Sequence, residues 1–403
     1  MSLDNERTTV TSRSRGGTTR MLLPLVVARV VNRLGGFSMG FLGARLSVDL
    51  GAPMSLVGPV LAIFGLCTIP SRVLGGVLAH RIGSRRTLVV GLLACALAQA
   101  VVALAGSVAT VVLGAVLLGL AQEIIEPATQ GFVAEQVPAE RRASGFALLS
   151  AAMSVAGVLA GAVAGLVAPF GVAWLFGVDA ITSLAAAAVV ALLLVDVRPP
   201  REPGRSWRRS LSPRLLAWTG VGTVYGTLVM VVVLFFPLAV VRAGHPTAYA
   251  GWLLAVVAGF AVLAQRAVAH LETRVRPALL LVAGYVVLAG GLALWATGTV
   301  TGLLVGAALE GASGSLLLGT QQAVAAGMAR PGDEAAVMTT YGLSWGVAAV
   351  LAPLVGAPLL ERGPQLLWGA AAALAGLLAA GHLAAHLAGR VRGGRSRVRA
   401  VAQ

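Results

Sequence analysis

Eight ionisable side chains fall inside stretches that are otherwise almost wholly apolar: Arg29, Arg33, Arg72, Glu123, Glu126, Asp179, Arg266 and Glu310. Arg29 and Arg33 are spaced i,i+4 and Glu123 and Glu126 i,i+3, so on helices each pair shares one face. A carboxyl group can take up and release a proton, whereas a guanidinium group keeps its charge at any accessible pH. Such a mixture can run proton exchange, with arginine as the fixed cation that a neutralised acid lets go. It can equally form a structural ion-pair cluster, and both readings stand at this point.

The elements that position these residues follow from composition. The chain has 403 residues, 58% of them hydrophobic and only 11% charged, with a mean hydropathy of +0.89. Apolar runs of about 18 residues or more are long enough to cross a bilayer as helices. Inside hydrocarbon the backbone must satisfy its own hydrogen bonds, which favours helices, and the runs lack the two-residue alternation of membrane strands. We expect an all-α membrane protein with twelve spans, at 21–46, 54–79, 87–106, 108–134, 143–168, 172–195, 215–242, 248–270, 277–297, 300–328, 335–360 and 364–387. A charge at mid-membrane costs about 2.5–3.5 kcal/mol on insertion scales, so each of the eight residues needs a reason to be there.

All 30 basic residues are arginine, giving a formal net charge of +15. They concentrate in alternate loops (Arg81, Arg85, Arg86; Arg141, Arg142; Arg198 to Arg214; Arg274, Arg276) and in both tails, while the opposite loops carry little beyond Arg45, Arg242 and Arg362. This distribution puts both termini in the cytoplasm, and it assigns the charge to membrane topology and not to nucleic acid. The partners expected are the lipid bilayer, a small molecule and protons. Cys67 and Cys95 have no metal-ligand spacing, and no H-E-x-x-H, C-x-x-C or nucleotide-binding P-loop occurs, so no metal, no cofactor and no enzyme activity is expected. Residues 1–20 are polar and carry no signal-peptide core.

The longest internal polar stretch, Asp196 to Pro213, reads as a linker that divides the spans six and six. Gly114 and Gly119 recur as Gly306 and Gly311 at a shift of 192 residues, and at the same shift Gln130 meets Gln322 and Val158-Leu159-Ala160 meets Val350-Leu351-Ala352. We read a duplication, organised as a tail (1–20), a six-helix bundle (21–195), a linker (196–214), a second bundle (215–389) and a basic tail (390–403).

Between spans 2 and 3 the sequence is Gly76, Leu78, Ala79, His80, Arg81, Gly83, Ser84, Arg85, Arg86. This resembles the Major Facilitator Superfamily signature G-x-L-A-D-R-x-G-R-R, with His80 in the aspartate position and Ser84 in an arginine position. The opening ARVVNRLGGF and Pro138-Ala-Glu-Arg-Arg142 resemble the drug-exporter, or drug:proton antiporter, branch. Span 5 carries Gly157, Gly161 and Gly165 in the spacing of that branch's antiporter motif, with Ala162 where its proline stands. The resemblance implies two pseudo-symmetric six-helix bundles, alternating access about a mid-membrane site, and proton-coupled efflux of a small amphipathic compound across the cytoplasmic membrane by a monomer. Import of a polar solute, and a non-transporting sensor or lipid-handling role on the same scaffold, are the alternatives.

Under this reading Gly76, His80, Arg81, Gly83, Arg85 and Arg86 form a cytoplasmic gate. Depth along spans 1 and 4, at about 1.5 Å per residue, pairs Arg29 with Glu126 and Arg33 with Glu123, with Arg72 as a third cation nearby. Glu123, Glu126 and Glu310 are the proton-coupling candidates. Asn32, Gln130, Tyr225, Gln322, Tyr341 and Trp345 are the cavity candidates, with Gln321 beside them, although polar interhelical contacts explain the glutamines equally well and aromatic core packing is the better reading of Tyr225, Tyr341 and Trp345. Asp179 is expected to make a structural hydrogen bond, and Arg266 and His270 to reach the cytoplasmic surface.

Overall fold

The structure is a computed structural model that describes residues 22–137, 142–195, 212–272, 274–330 and 334–401. The amino-terminal tail, most of the linker and Pro138 to Arg141 lie outside the described residues. Among the described residues twelve helices are long and apolar enough to span a membrane. They are α1 (Leu22–Asp49), α2 (Met54–Ile82), α3 (Ser84–Leu104), α4 (Val108–Gln122 continued by Ile125–Gln136), α5 (Arg142–Val167) and α6 (Val172–Leu193), followed by α7 (Pro213–Arg242), α8 (Thr247–Glu272), α9 (Pro277–Trp295), α10 (Val300–Ala326), α11 (Glu334–Glu361) and α12 (Pro364–Val401). The last helix runs through the basic stretch that the sequence sets apart from residue 390. Arginine is a good helix former and no proline intervenes, and the helix continues through Gly393 and Gly394 although glycine disfavours it.

The chain forms two compact units. One comprises the chain through Gly204 with short pieces of α7 and of the α7–α8 region (233–238 and 246–251), and the other holds the remainder. In the first, α3 packs on α6 and α4, and α2 on α4; in the second, α9 packs on α12 and α10. The duplication is visible in this repeated pairing and in its details. Ser107 caps α4 by accepting from the Thr110 amide at 3.3 Å, and Thr299, 192 residues later, caps α10 by accepting from the Gly302 amide at 3.1 Å. A Cβ on Gly114 would strike Val102 of α3, and one on Gly306 would strike Gly291 and Trp295 of α9. A Cβ on Gly119 would sit 2.6 Å from the Phe64 carbonyl of α2, and one on Gly311 would collide with the Val257 carbonyl of α8. The recurring glycine pair thus does the same work twice, letting one helix lie against two neighbours at backbone distance.

The outward faces are apolar, with Leu104 87% and Leu192 80% exposed, as a surface solvated by lipid requires. Two helices of the first unit are interrupted. In α1 the residues Gly35, Gly36 and Phe37 form a turn, after which Ser38–Ala44 resumes the helix and Arg45–Asp49 widens to a π-turn. A Cβ on Gly35 would stand 2.6 Å from the Asp179 backbone, so this glycine brings α1 against α6. In α4 the break falls at Glu123 and Ile124. Pro127 explains it, because its ring meets the carbonyl four residues back and offers no N–H to it.

Arg45 and Arg242, two of the arginines that lie against the charge bias, have structural duties. Arg45 is 6% exposed and donates to the Val102, Ala103 and Ala105 carbonyls at the end of α3, at 3.3, 3.4 and 2.6 Å. It also pairs with Asp49 at 2.8 Å, and Asp49 accepts from the Ala173 amide at the start of α6 at 3.1 Å. In the second unit Arg242 donates to the Leu360 carbonyl of α11 at 2.7 Å. Both bind carbonyls at the ends of neighbouring helices, where fewer backbone donors are available.

Candidate functional site

The break in α4 shapes the site. The Glu123 amide donates to the Ser71 hydroxyl of α2 at 3.1 Å, and Gly75, one turn further along α2, lies so close to Ile124 that a Cβ would be 2.7 Å from its Cα. With α2 and α4 locked together, the Glu123 carboxylate stands 3.9 Å from the Arg72 guanidinium. Beyond the break, Glu126 pairs with Arg29 of α1 at 3.1 Å and accepts from the Gln130 amide group at 3.1 Å. Arg33 and Glu123, the second rung expected from a straight α4, form no ion pair. The missing turn at Pro127 re-aims Glu123 toward α2, and Arg72 takes Arg33's place.

These side chains line a cavity of about 180 Å³ in the first unit, whose wall also includes Asn32, Arg33, Gln99, Gln122 and Asp179. Asp179 is only 1% exposed. Its Oδ2 accepts from the Ser38 amide at 3.3 Å and from the Ser38 hydroxyl. Gln99 donates to Ser38 at 3.2 Å and accepts from Ser183 at 2.9 Å, and Asn32 donates to Ser183 at 3.1 Å. One chain of hydrogen bonds therefore joins α1, α3 and α6. The expected hydrogen bond of Asp179 is present, but the residue belongs to the cavity as well. Ser38, Ser71, Gln99 and Ser183 escaped the sequence reading; their only signal is a polar side chain in an apolar span.

Gly36 to Gly40 and Gly342 to Gly346 both read G-x-S-x-G. That motif acts as a nucleophile elbow at a strand-to-helix turn. Here Ser38 begins a helical segment and Ser344 lies inside α11, so neither occupies that setting.

The segment from Gly76 to Arg86, expected to act as a gate, forms a one-residue joint. Gly83, at φ 88°, ends α2 and starts α3, a backbone conformation that glycine alone adopts without cost. Arg85 donates to the Ala191 carbonyl near the end of α6. His80, Arg81 and Arg86 are exposed, and nothing lies within 4 Å of a Cβ on Gly76.

In the second unit Tyr225, Tyr285 and Trp345 pack edge to face, with ring centroids 6.0 and 6.2 Å from Tyr225. Gln321 is fully buried, donates to the Tyr285 hydroxyl and accepts from the Tyr341 hydroxyl at 3.2 Å. Glu310 is partly buried within electrostatic reach of Tyr225. Gln322, the candidate at the repeat position, is exposed, and its neighbour Gln321 is the residue that joins the aromatic cluster. Arg266 and His270 are exposed.

Comparison with known proteins agrees with this architecture. The sequence matches no curated protein closely enough to count as a relative. The structure resembles a mutant form of the nucleoside transporter NupG, with a TM-score of 0.78 and 15% identity over 90% of this chain and 99% of that one. It resembles a mutant form of the peptide transporter POT in complex with sulfate (TM-score 0.75, 16% identity, 92% and 94% covered). It also resembles a D-xylose-proton symporter (TM-score 0.70, 16% identity, 89% and 97% covered). Residues 25–302 match the family model of the Major Facilitator Superfamily, and with twelve spanning helices in that fold the chain belongs to this family, as a multi-pass membrane protein and secondary transporter.

Proposed function

We propose that this transporter exports a small amphipathic compound in exchange for protons, as a monomer in the cytoplasmic membrane with both termini in the cytoplasm. The observation that carries the proton coupling is the Arg29–Glu126 pair at 3.1 Å beside Glu123, on the wall of one cavity. A carboxylate that takes up a proton gives up a charge-assisted bond. The arginine cannot follow by losing its own proton, so Arg29 is freed whenever Glu126 is neutralised. Glu123 and Arg72 offer the same exchange across α2 and α4, and Glu310 is the acid of the second unit. The driving force is the proton gradient with the membrane potential, which supplies about 2.3 kcal/mol per charge per 100 mV. Outward direction is supported by the resemblance of the α1 opening and the α5 glycines to the drug-exporter branch.

The polar cavity wall favours a second reading, inward symport of a polar solute, as the name of the D-xylose-proton symporter suggests for that protein. Flux in vesicles with an imposed pH gradient tests both readings. With the gradient acid inside and the cytoplasmic face of the protein outward, uptake into the vesicle supports exchange-driven export, and loss of that uptake in Glu123→Gln/Glu126→Gln supports the two acids as the coupling groups. Undiminished gradient-driven flux in the double variant removes them from the mechanism.

A further inference from the structure

The cavity of the first unit holds polar atoms that the protein leaves without partners. Asp179 is 1% exposed, and its Oδ1 has no hydrogen-bond partner among the described residues. The Gln122 Oε1 and the Arg29 Nε are buried and in the same condition. All three residues line one cavity of about 180 Å³. Buried polar groups in folded proteins are almost always satisfied, and an orphaned carboxylate oxygen is among the most costly exceptions. The cavity is several times the volume of one water molecule, about 30 Å³.

The charges show what kind of occupant would satisfy them. Glu126 is neutralised by Arg29, and Glu123 faces Arg72. That leaves Asp179 and Arg33 on the same wall, with no ion pair made by either among the described residues. Arg33 is exposed and thus open to an arriving solute, while Asp179 lies at the buried end of the hydrogen-bond chain through Ser38, Gln99 and Ser183. The site is balanced in charge overall, and its remaining cation and anion lie within electrostatic reach of each other without closing into an ion pair. A cation or an anion alone would leave one of them unmatched. Met39 and Met153 complete the wall with flexible apolar surface.

We propose that this cavity binds the head group of a zwitterionic solute, with its ammonium on Asp179 Oδ1 and its carboxylate on Arg33. The Gln122 carbonyl and the Arg29 Nε–H serve as further acceptor and donor, and the methionines take the apolar remainder. This names the substrate class for the transport reading above and rests on it for the claim that the bound solute is moved, but binding itself needs no proton gradient.

The test is therefore equilibrium binding to the purified full chain at one pH, read by thermal shift and calorimetry. The probes are leucine, phenylalanine, γ-aminobutyrate and alanyl-phenylalanine, together with N-acetyl-phenylalanine and phenylalanine methyl ester, which each lack one charge. At least one zwitterion is expected to bind saturably, and both blocked derivatives to bind about tenfold or more weakly than phenylalanine. Asp179→Asn keeps an acceptor for Ser38, and it should weaken zwitterion binding about tenfold while restoring the blocked-ammonium derivative to parity with its parent. Arg33→Gln, at an exposed position, keeps the proposal testable should Asp179→Asn fail to fold, and it should produce the mirror-image result with the methyl ester. The proposal falls if no zwitterion binds, if the blocked derivatives bind as well as the parent, or if the folded variants bind unchanged. Loss of gradient-driven flux with zwitterion binding intact would count against the proton reading alone.

Discussion

Glu123 faces Arg72 at 3.9 Å, while Glu126, three residues on, takes Arg29 at 3.1 Å. Two acids that would share one face of an unbroken helix thus hold cations on two different helices, because Pro127 interrupts α4 between their alignments. The acids are consequently two separate switches. Combining Arg72→Gln with Glu123→Gln should reduce flux no further than the more damaging single change, since both remove the same interaction. Combining Arg33→Gln with Glu123→Gln should multiply the two losses, as independent sites do. Initial rates for the three singles and two doubles decide it; a multiplicative Arg72 pair would be incompatible with this arrangement.

The α2–α4 interface distinguishes two adjacent glycines. A Cβ at Gly75 would be 2.7 Å from the Ile124 Cα and 2.8 Å from its carbonyl oxygen, whereas one at Gly76 meets nothing within 4 Å. Gly75→Ala should cost about 1–3 kcal/mol through overpacking against backbone. Gly76→Ala should be neutral or stabilising by up to about 1 kcal/mol, from helix propensity alone. Melting temperatures in one detergent rank them, and a lower value for Gly76→Ala would contradict the packing described.

Arg45 and Arg362 both lie outside the arginine-rich loops, but their duties differ. Arg45 holds three carbonyls and Asp49, while Arg362 is exposed. Arg45→Gln should destabilise by about 3–5 kcal/mol, the usual result of removing one partner from a buried ion pair. Arg362→Gln should stay within about 0.5 kcal/mol of the parent. Thermal unfolding followed by a thiol-reactive dye on buried Cys95 would separate the two.

In the second unit Gln321→Leu strands the Tyr285 and Tyr341 hydroxyls and should cost about 1–3 kcal/mol, against little change for Gln322→Leu at its exposed position. Equal melting temperatures for the two variants would dissolve the distinction.

The span count and the duplication were legible because both rest on the chain's coarsest signals, continuous apolar length and glycines recurring at one interval. The Arg29–Glu126 approach was legible because depth along two helices is a linear measure. That measure fails where a helix is interrupted, so Glu123 was assigned to Arg33 and not to Arg72. Ser71 and Gly75 were overlooked for a different reason. Their importance lies in what faces them, the exposed backbone of a broken turn on another helix, and no local pattern records that. Gln321 and Gln322 show the same limit at finer grain, since adjacent residues on a helix point about 100° apart and the sequence alone does not say which of the two faces inward.

The single residue between α2 and α3 leaves no slack. With Gly83 as the only hinge and Arg85 fastened to the far end of α6, a tilt of α2 cannot be absorbed by a loop. It must be handed on, first to α3 and then to α6, so the three helices should travel as a rigid wedge. The conformational freedom of the first unit is then concentrated in the interrupted helices, α1 and α4, which carry Arg29 and Glu126.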